Sequence, residues 1–189
     1  MTSNSPELAG IARRWWRQYL EGDTGPQRAA RARLRRARDG HEALTEAAAI
    51  ALANRLAAQA GNEWEQDRRT QQGLALATVL AHVKADTPQS LMRALGHRTP
   101  PGSTSAEPPL LARTRFDRLM RADIDELPAM LIRLVRQLGG TANIGELADA
   151  LIWWPSEAGR ARVQRKWAFD YFAAPTANPD LADSEETHA

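Results

Sequence analysis

From Leu127 to Leu138 the apolar residues Leu127, Met130, Leu131, Leu134, Val135 and Leu138 recur at i, i+3, i+4, i+7, i+8 and i+11. That spacing follows 3.6 residues per turn and places all six on one side of an α-helix. Similar stripes run through most of the chain, and no apolar–polar alternation persists long enough to predict a strand. The expected fold class is all-α, arranged as two small helical bundles.

Turn and cap residues divide the pattern. Pro6 suits the first turn of a helix to about Leu20, with Leu8, Ile11, Trp15 and Tyr19 recurring along it. Glu21 to Pro26 reads as a turn, Pro26 opens a second helix, and Asp39-Gly40 ends it. A third helix is expected over about 42–60, with Leu44, Ala48, Leu52 and Leu56 buried. A fourth, over about 63–84, carries Trp64, Leu74, Leu76, Val79, Leu80 and Val83. A short helix is expected over 87–94. Residues 96–109 hold two Pro-Pro pairs among Gly, Ser and Thr, the composition of a linker or mobile loop.

A second helical set follows. Phe116, Leu119 and Met120 face inward on a short helix, Leu147, Leu151 and Trp154 mark another, and Val163, Trp167 and Tyr171 the last. Asp123 with Glu126, and Asn143 with Glu146, have the N-cap and N3 spacing of capping boxes. The expected organisation is a bundle over 1–95, a linker over 96–109, a bundle over 110–174 and an acidic, disordered tail over 175–189.

Charge is distributed unevenly along this framework. Residues 28–38 include Arg28, Arg31, Arg33, Arg35, Arg36 and Arg38. On a helix Arg28, Arg31, Arg35 and Arg38 fall on one broad side, opposite Ala30, Leu34 and Ala37. Of the 25 basic residues only Lys84 and Lys166 are lysine. A guanidinium presents a planar fork that matches phosphate or carboxylate, so arginine dominance points to bidentate recognition. A solvated helix and a nucleic-acid contact both satisfy this stretch. Further arginines recur in both halves: Arg68 and Arg69; Arg113, Arg115, Arg118 and Arg121; Arg133 and Arg136; Arg160, Arg162 and Arg165. No helix-turn-helix signature marks a reading helix, which favours contact with the nucleic-acid backbone over base readout.

Catalytic chemistry is poorly represented. The chain has no cysteine, which excludes disulfides, thiolate nucleophiles and cysteine-based metal sites. His41, His82, His97 and His188 are scattered without metal-ligand spacing, and Gly139-Gly140-Thr141 lacks a phosphate loop's lysine. Asp123, Asp125 and Glu126 are explained by capping. Trp15-Trp16 and Trp153-Trp154 are read as packing anchors ahead of base-stacking platforms. The expectation is no enzyme activity, no cofactor and no metal. No apolar run approaches the ~20 residues of a membrane span, so a cytoplasmic protein without a membrane partner is expected.

Several segments in order resemble the CasB family, the small subunit of the type I-E CRISPR surveillance complex called Cascade. They are Trp15-Trp16-Arg17-Gln18 with the arginine-rich helix, Arg69-Thr-Gln-Gln-Gly-Leu74, Leu91-Met-Arg-Ala-Leu95, Arg115-Phe-Asp-Arg-Leu-Met-Arg-Ala-Asp123, Leu131-Ile-Arg-Leu-Val135, and Leu151-Ile-Trp-Trp154 before a basic helix ending in Asp170-Tyr-Phe. The resemblance covers about residues 10–173. It implies two small bundles, no catalysis, and two copies within an assembly of other Cascade subunits. There a basic surface supports the guide RNA–target DNA duplex and the displaced strand. Arg69 and Arg133 match basic positions of that surface, Arg160 and Arg162 correspond to a C-terminal basic cluster, and the 28–38 stripe to a basic second helix. The candidate nucleic-acid-binding residues are Arg28, Arg31, Arg35, Arg69, Arg115, Arg118, Arg133, Arg160 and Arg162. A generic helical DNA-binding or regulatory protein, and a scaffold whose arginines pair with acidic partner subunits, are the alternatives.

Overall fold

A computed structural model describes residues 5–96 and 108–172. Helices α1 (Ser5–Trp16), α2 (Gly25–Arg36), α3 (Ala47–Ala57), α4 (Glu63–Leu80) and α5 (Leu91–Leu95) precede the intervening stretch. Helices α6 (Arg113–Met120), α7 (Leu127–Gln137), α8 (Ile144–Trp153) and α9 (Glu157–Phe172) follow it. The fold is all-α, with one addition that periodicity cannot reveal. β1 (Ala85–Asp86) pairs in parallel with β2 (Thr141–Ala142), Ala85 opposite Thr141 and Asp86 opposite Ala142. Two residues are too few to show an alternation. Residues 97–107 of the expected linker, and the expected acidic tail, lie outside the described residues.

Local chemistry sets the helix ends. Thr24 accepts the Gln27 N–H while the Gln27 side chain accepts from the Thr24 N–H, a capping box reinforced by Pro26 in the first turn of α2. Helix α7 ends in a Schellman motif: the Gly140 N–H reaches the Val135 carbonyl at 2.9 Å, and the Gly139 N–H reaches Arg136 at 3.0 Å. Both glycines have positive φ.

The two helical sets share one hydrophobic core, with α1 against α8 and α4 against both α7 and α8. Leu127, Leu131, Leu134 and Val135 of the α7 stripe are buried, as are Val163, Trp167 and Tyr171 of α9. Alanines on α3 allow α4 to close in. A Cβ at Gly73 would stand 2.7 Å from the Ala53 Cα, an approach only glycine permits. Trp15, Trp16 and Trp154 are buried anchors, as expected. Trp15 donates to the Ala48 carbonyl at 2.7 Å and Trp154 to that of Ala122 at 2.9 Å.

Two polar nodes tie the sets together. Arg13 of α1 donates to Asp86 at 3.1 Å and to Asn143 at 3.0 Å, while Asp86 also accepts the Ile144 N–H at 3.0 Å. Buried Glu146 accepts from the Leu91 N–H at 2.9 Å, the Trp167 indole at 2.8 Å and the Ser90 hydroxyl at 3.2 Å.

Four local expectations are corrected. Residues Glu42–Thr45 form a 3₁₀ turn, so α3 starts only at Ala47 and Leu44 is exposed. Trp64 projects from the first turn of α4, 71 % exposed, with the Arg68 guanidinium 4.7 Å from its ring. Asp123 and Glu126 form no capping box: Glu126 is itself the N-cap without a side-chain bond, and the Asp123 backbone carbonyl takes the Glu126 and Leu127 N–H groups. Pro128 removes one of the donors a cap would have served. Helix α5 starts at Leu91 rather than near 87, because Thr87 turns back to accept the Gln89 N–H.

Candidate nucleic-acid interface

Burying Phe116 and Leu119 on α6 leaves Arg115 and Arg118 three residues apart on its open edge. Burying Leu131, Leu134 and Val135 on α7 does the same for Arg133 and Arg136. Residues at i and i+3 are neighbours on a helix surface, so each helix presents a pair. The two pairs rim one groove of about 650 Å³, with Leu111, Leu119, Met130 and Leu134 supplying its apolar lining. No carboxylate lines it. Arg118 stands 3.7 Å from Glu126, an exposed pair with a weak hold on the guanidinium. Arg115, Arg133 and Arg136 make no ion pair among the described residues. Cations over an apolar floor, with only the weak Arg118–Glu126 pair to neutralise them, suit a polyanion whose charges sit on its outside.

A larger cavity, of about 840 Å³, lies elsewhere among α4, α7 and the turn after α2. Its lining mixes Arg38 and Arg68 with Asp39, Asp67 and Asp125. Cancelling charges make it the poorer anion site despite its size.

The nine expected residues do not form one face. Arg115, Arg118 and Arg133 come together in the groove. Arg35 lies on a neighbouring pocket that shares Arg136 with the groove. Arg28 is exposed and 3.6 Å from Asp23. Arg31 is turned to structure: it donates to the Leu20 carbonyl at 2.9 Å and to that of Gly22 at 3.4 Å, closing the π-helical turn that extends α1. Arg160 donates to the Trp154 carbonyl at 3.1 Å with its guanidinium 5.5 Å from that indole, and Arg162 lies 5.3 Å from the Trp153 ring.

Arg69 departs furthest from its expected place. It is 7 % exposed, donates to the Gln59 carbonyl at 2.7 Å and pairs with Glu65 at 2.5 Å. The Gly61 N–H and then Arg69 hold the Glu65 carboxyl below its usual range. Arg69 thus closes the α3–α4 corner and is not a surface cation. Arg38, on the expected basic stripe, lies beyond the end of α2 and pairs with Glu42. Arg33, on the same segment, pairs with Glu46.

Sequence reasoning missed Arg136, Lys84 and His82 as site residues. Arg136 carried a signal in its i+3 relation to Arg133; the other two carried none, because the β1–β2 pairing brings them to α7. Among the described residues no group of three or more His, Asp or Glu side chains could hold a metal ion, and no helix is long and apolar enough to cross a membrane.

Fold and site together define a small all-helical protein with a cationic groove. The family model for CRISPR-associated protein Cse2 matches residues 30–172. The chain belongs to the CasB/Cse2 family, as the sequence resemblance implied. A crystal structure of CasB from Thermus thermophilus has the same fold with a TM-score of 0.57 and 22 % identity, covering 90 % of this chain and 99 % of that one. A chain from the crystal structure of E. coli Cascade bound to a PAM-containing double-stranded DNA target gives a TM-score of 0.54 at 23 % identity, covering 85 % of this chain and 95 % of that one. No curated protein matches the chain by sequence.

Proposed function

We propose that this chain is a non-catalytic, nucleic-acid-binding small subunit of a type I-E Cascade complex, held there by the other subunits and present in more than one copy. The observation that carries this reading is the α6–α7 groove, where Arg115, Arg118, Arg133 and Arg136 face one another over apolar residues with no carboxylate in the lining. Its ligands are the backbones of the guide RNA–target DNA duplex and the displaced strand. Family membership and the fold shared with a chain of a DNA-bound Cascade support it. Individually weak phosphate contacts suffice when partners tether the protein and raise its effective concentration at the strand.

Binding of single- or double-stranded oligonucleotides by the purified chain tests the groove. Engagement of about four to six phosphates makes affinity fall by several decades per decade of salt, whatever the sequence. The Arg115→Ala/Arg133→Ala double variant flattens that slope by about two units. Co-expression with its genomic neighbours tests the assembly. A complex lacking this chain retains guide RNA but loses target-DNA affinity. Salt-independent binding, or equal target opening without the chain, overturns the reading.

A further inference from the structure

Beside the groove, a pocket of about 310 Å³ is lined by Arg35, His82, Lys84, Arg136, Gly139 and Gly140. Helix α2 supplies Arg35, the segment after α4 supplies His82 and Lys84, and α7 supplies Arg136. The β1–β2 pairing locks them together: the Lys84 N–H donates to the Gly140 carbonyl at 2.8 Å, and the Lys84 stem lies against Gly140. Arg35 spends its Nε on the Ala81 carbonyl at 2.6 Å. Lys84 and Arg136 have no ion pair among the described residues.

The helix ends account for only part of this charge. The C-termini of α4 and α7 point here, and each helix end is equivalent to roughly half a negative charge. Together they offset about one of the three cations. His82, 8 % exposed, shows the remainder: burial first, then Arg136 and Arg35, depress its pKa to about 4. Its imidazole is therefore neutral at pH 7 and surrounded by positive charge. What the fold leaves uncompensated is a place for an anion.

We propose that Arg35, His82, Lys84 and Arg136 form the seat of a single phosphate-class oxyanion. The anion is a backbone phosphate of a bound strand, an assignment that rests on the nucleic-acid reading above, or free inorganic phosphate. Binding takes up a proton. An anion in the pocket reverses the field at His82 and raises its pKa. Affinity for a strand phosphate, a diester whose single charge is constant over this range, therefore grows as the pH falls from 7 toward 5, up to about tenfold for each unit of that rise. Inorganic phosphate itself takes up a proton near neutral pH, which offsets part of the gain. No opposing titration comes from the pocket itself: α2 contributes Arg35, with Arg31 one turn away, α7 contributes Arg136, the 139–140 turn contributes no charge, and no Asp or Glu lines it.

The test is an NMR titration of the imidazole signals of the full chain, assigned with His82→Gln, using inorganic phosphate and, separately, a short single-stranded oligonucleotide. Expected is an upward shift of the His82 pKa that Arg136→Ala and Lys84→Met each weaken several-fold in midpoint. A shift with the oligonucleotide that phosphate competes away assigns a strand phosphate; a shift with phosphate alone assigns the free ion. A His82 signal indifferent to both overturns the proposal, as does a response unchanged in both variants. Fluorescence anisotropy in parallel separates the two readings. Salt-dependent oligonucleotide binding with an unmoved His82 sinks the pocket and leaves the groove standing. A phosphate-shifted His82 without oligonucleotide binding does the reverse.

Discussion

Arg35 donates its Nε proton to the Ala81 carbonyl at 2.6 Å, fastening α2 to the end of α4 one residue before His82. Burial, then Arg31 and Arg136, lower the Arg35 pKa, so this guanidinium sits under repulsion and is held in place by a backbone bond. Removing it relieves His82. In Arg35→Ala the His82 pKa rises from about 4 toward the ordinary 6.5, because one repelling charge disappears and water enters its space. An imidazole titration followed by NMR checks this. A value that stays near 4 means that Arg35 does not act on the ring.

The same depressed pKa makes stability depend on pH. The unfolded chain takes up the His82 proton near pH 6.5, whereas the folded chain takes it up only near 4. Between these values the unfolded state binds more protons, so stability is lost as pH falls from 6.5 to 4. The full shift corresponds to about 3 kcal/mol, and solvent screening in the open pocket lowers it. Denaturant melts at pH 7 and pH 4.5 should show this loss in the native chain and a smaller one in His82→Gln. Equal losses in both would place the acid sensitivity elsewhere.

Arg69 and Arg133 separate structural from interfacial arginine. Arg69→Ala leaves the half-buried Glu65 without its cation and the Gln59 carbonyl without the donor of buried Arg69, a cost of about 1–3 kcal/mol. Arg133→Ala removes an exposed side chain and changes stability by no more than about 0.5 kcal/mol. Oligonucleotide affinity should follow the opposite order when Arg69→Ala is measured well below its melting temperature. Weak binding by a fully stable Arg69→Ala protein would return Arg69 to the interface.

That contrast marks how far the sequence could be read. The stripes on α7 and α9 reported which side chains are buried, because helical period depends only on local spacing. Whether an arginine is available depends on which carboxylates and carbonyls the turns between helices fold back against it, and Arg31, Arg33 and Arg69 are engaged in that way. The His82 pocket was illegible for the same reason, since it needs the β1–β2 pairing to join segments more than fifty residues apart. The Asn143–Glu146 spacing was half informative. Asn143 does cap α8, accepting the Glu146 N–H at 3.1 Å, but the Glu146 carboxylate turns inward to Leu91, Ser90 and Trp167.

Glu146 is accordingly expected to be among the most sensitive positions. Glu146→Ala strands the Leu91 N–H and the Trp167 indole inside the core and takes from Lys166 the farther of its two carboxylates, leaving it Asp170 at 2.7 Å. The loss of such a buried, charge-accepting group costs about 3–5 kcal/mol. Glu146→Gln keeps one acceptor oxygen and should cost less. Chemical denaturation of both variants checks the order; near-native stability of Glu146→Ala would mean that water replaces the carboxylate.

Gly139 and Gly140 offer the most local test of the turn that shapes the pocket. Both have positive φ, +69° and +97°, so alanine at either strains the backbone by about 1–2 kcal/mol. Their surroundings differ. A Cβ at Gly139 meets nothing within 4 Å, whereas at Gly140 it would stand 2.8 Å from the Lys84 Cγ. Gly139→Ala should therefore lower the melting temperature by a few degrees, at about 2–4 °C per kcal/mol for a chain of this size. Gly140→Ala should lower it further and also displace Lys84, weakening the phosphate response of His82. If the two variants melt together and leave that response equal, Lys84 is not held over the pocket by this turn.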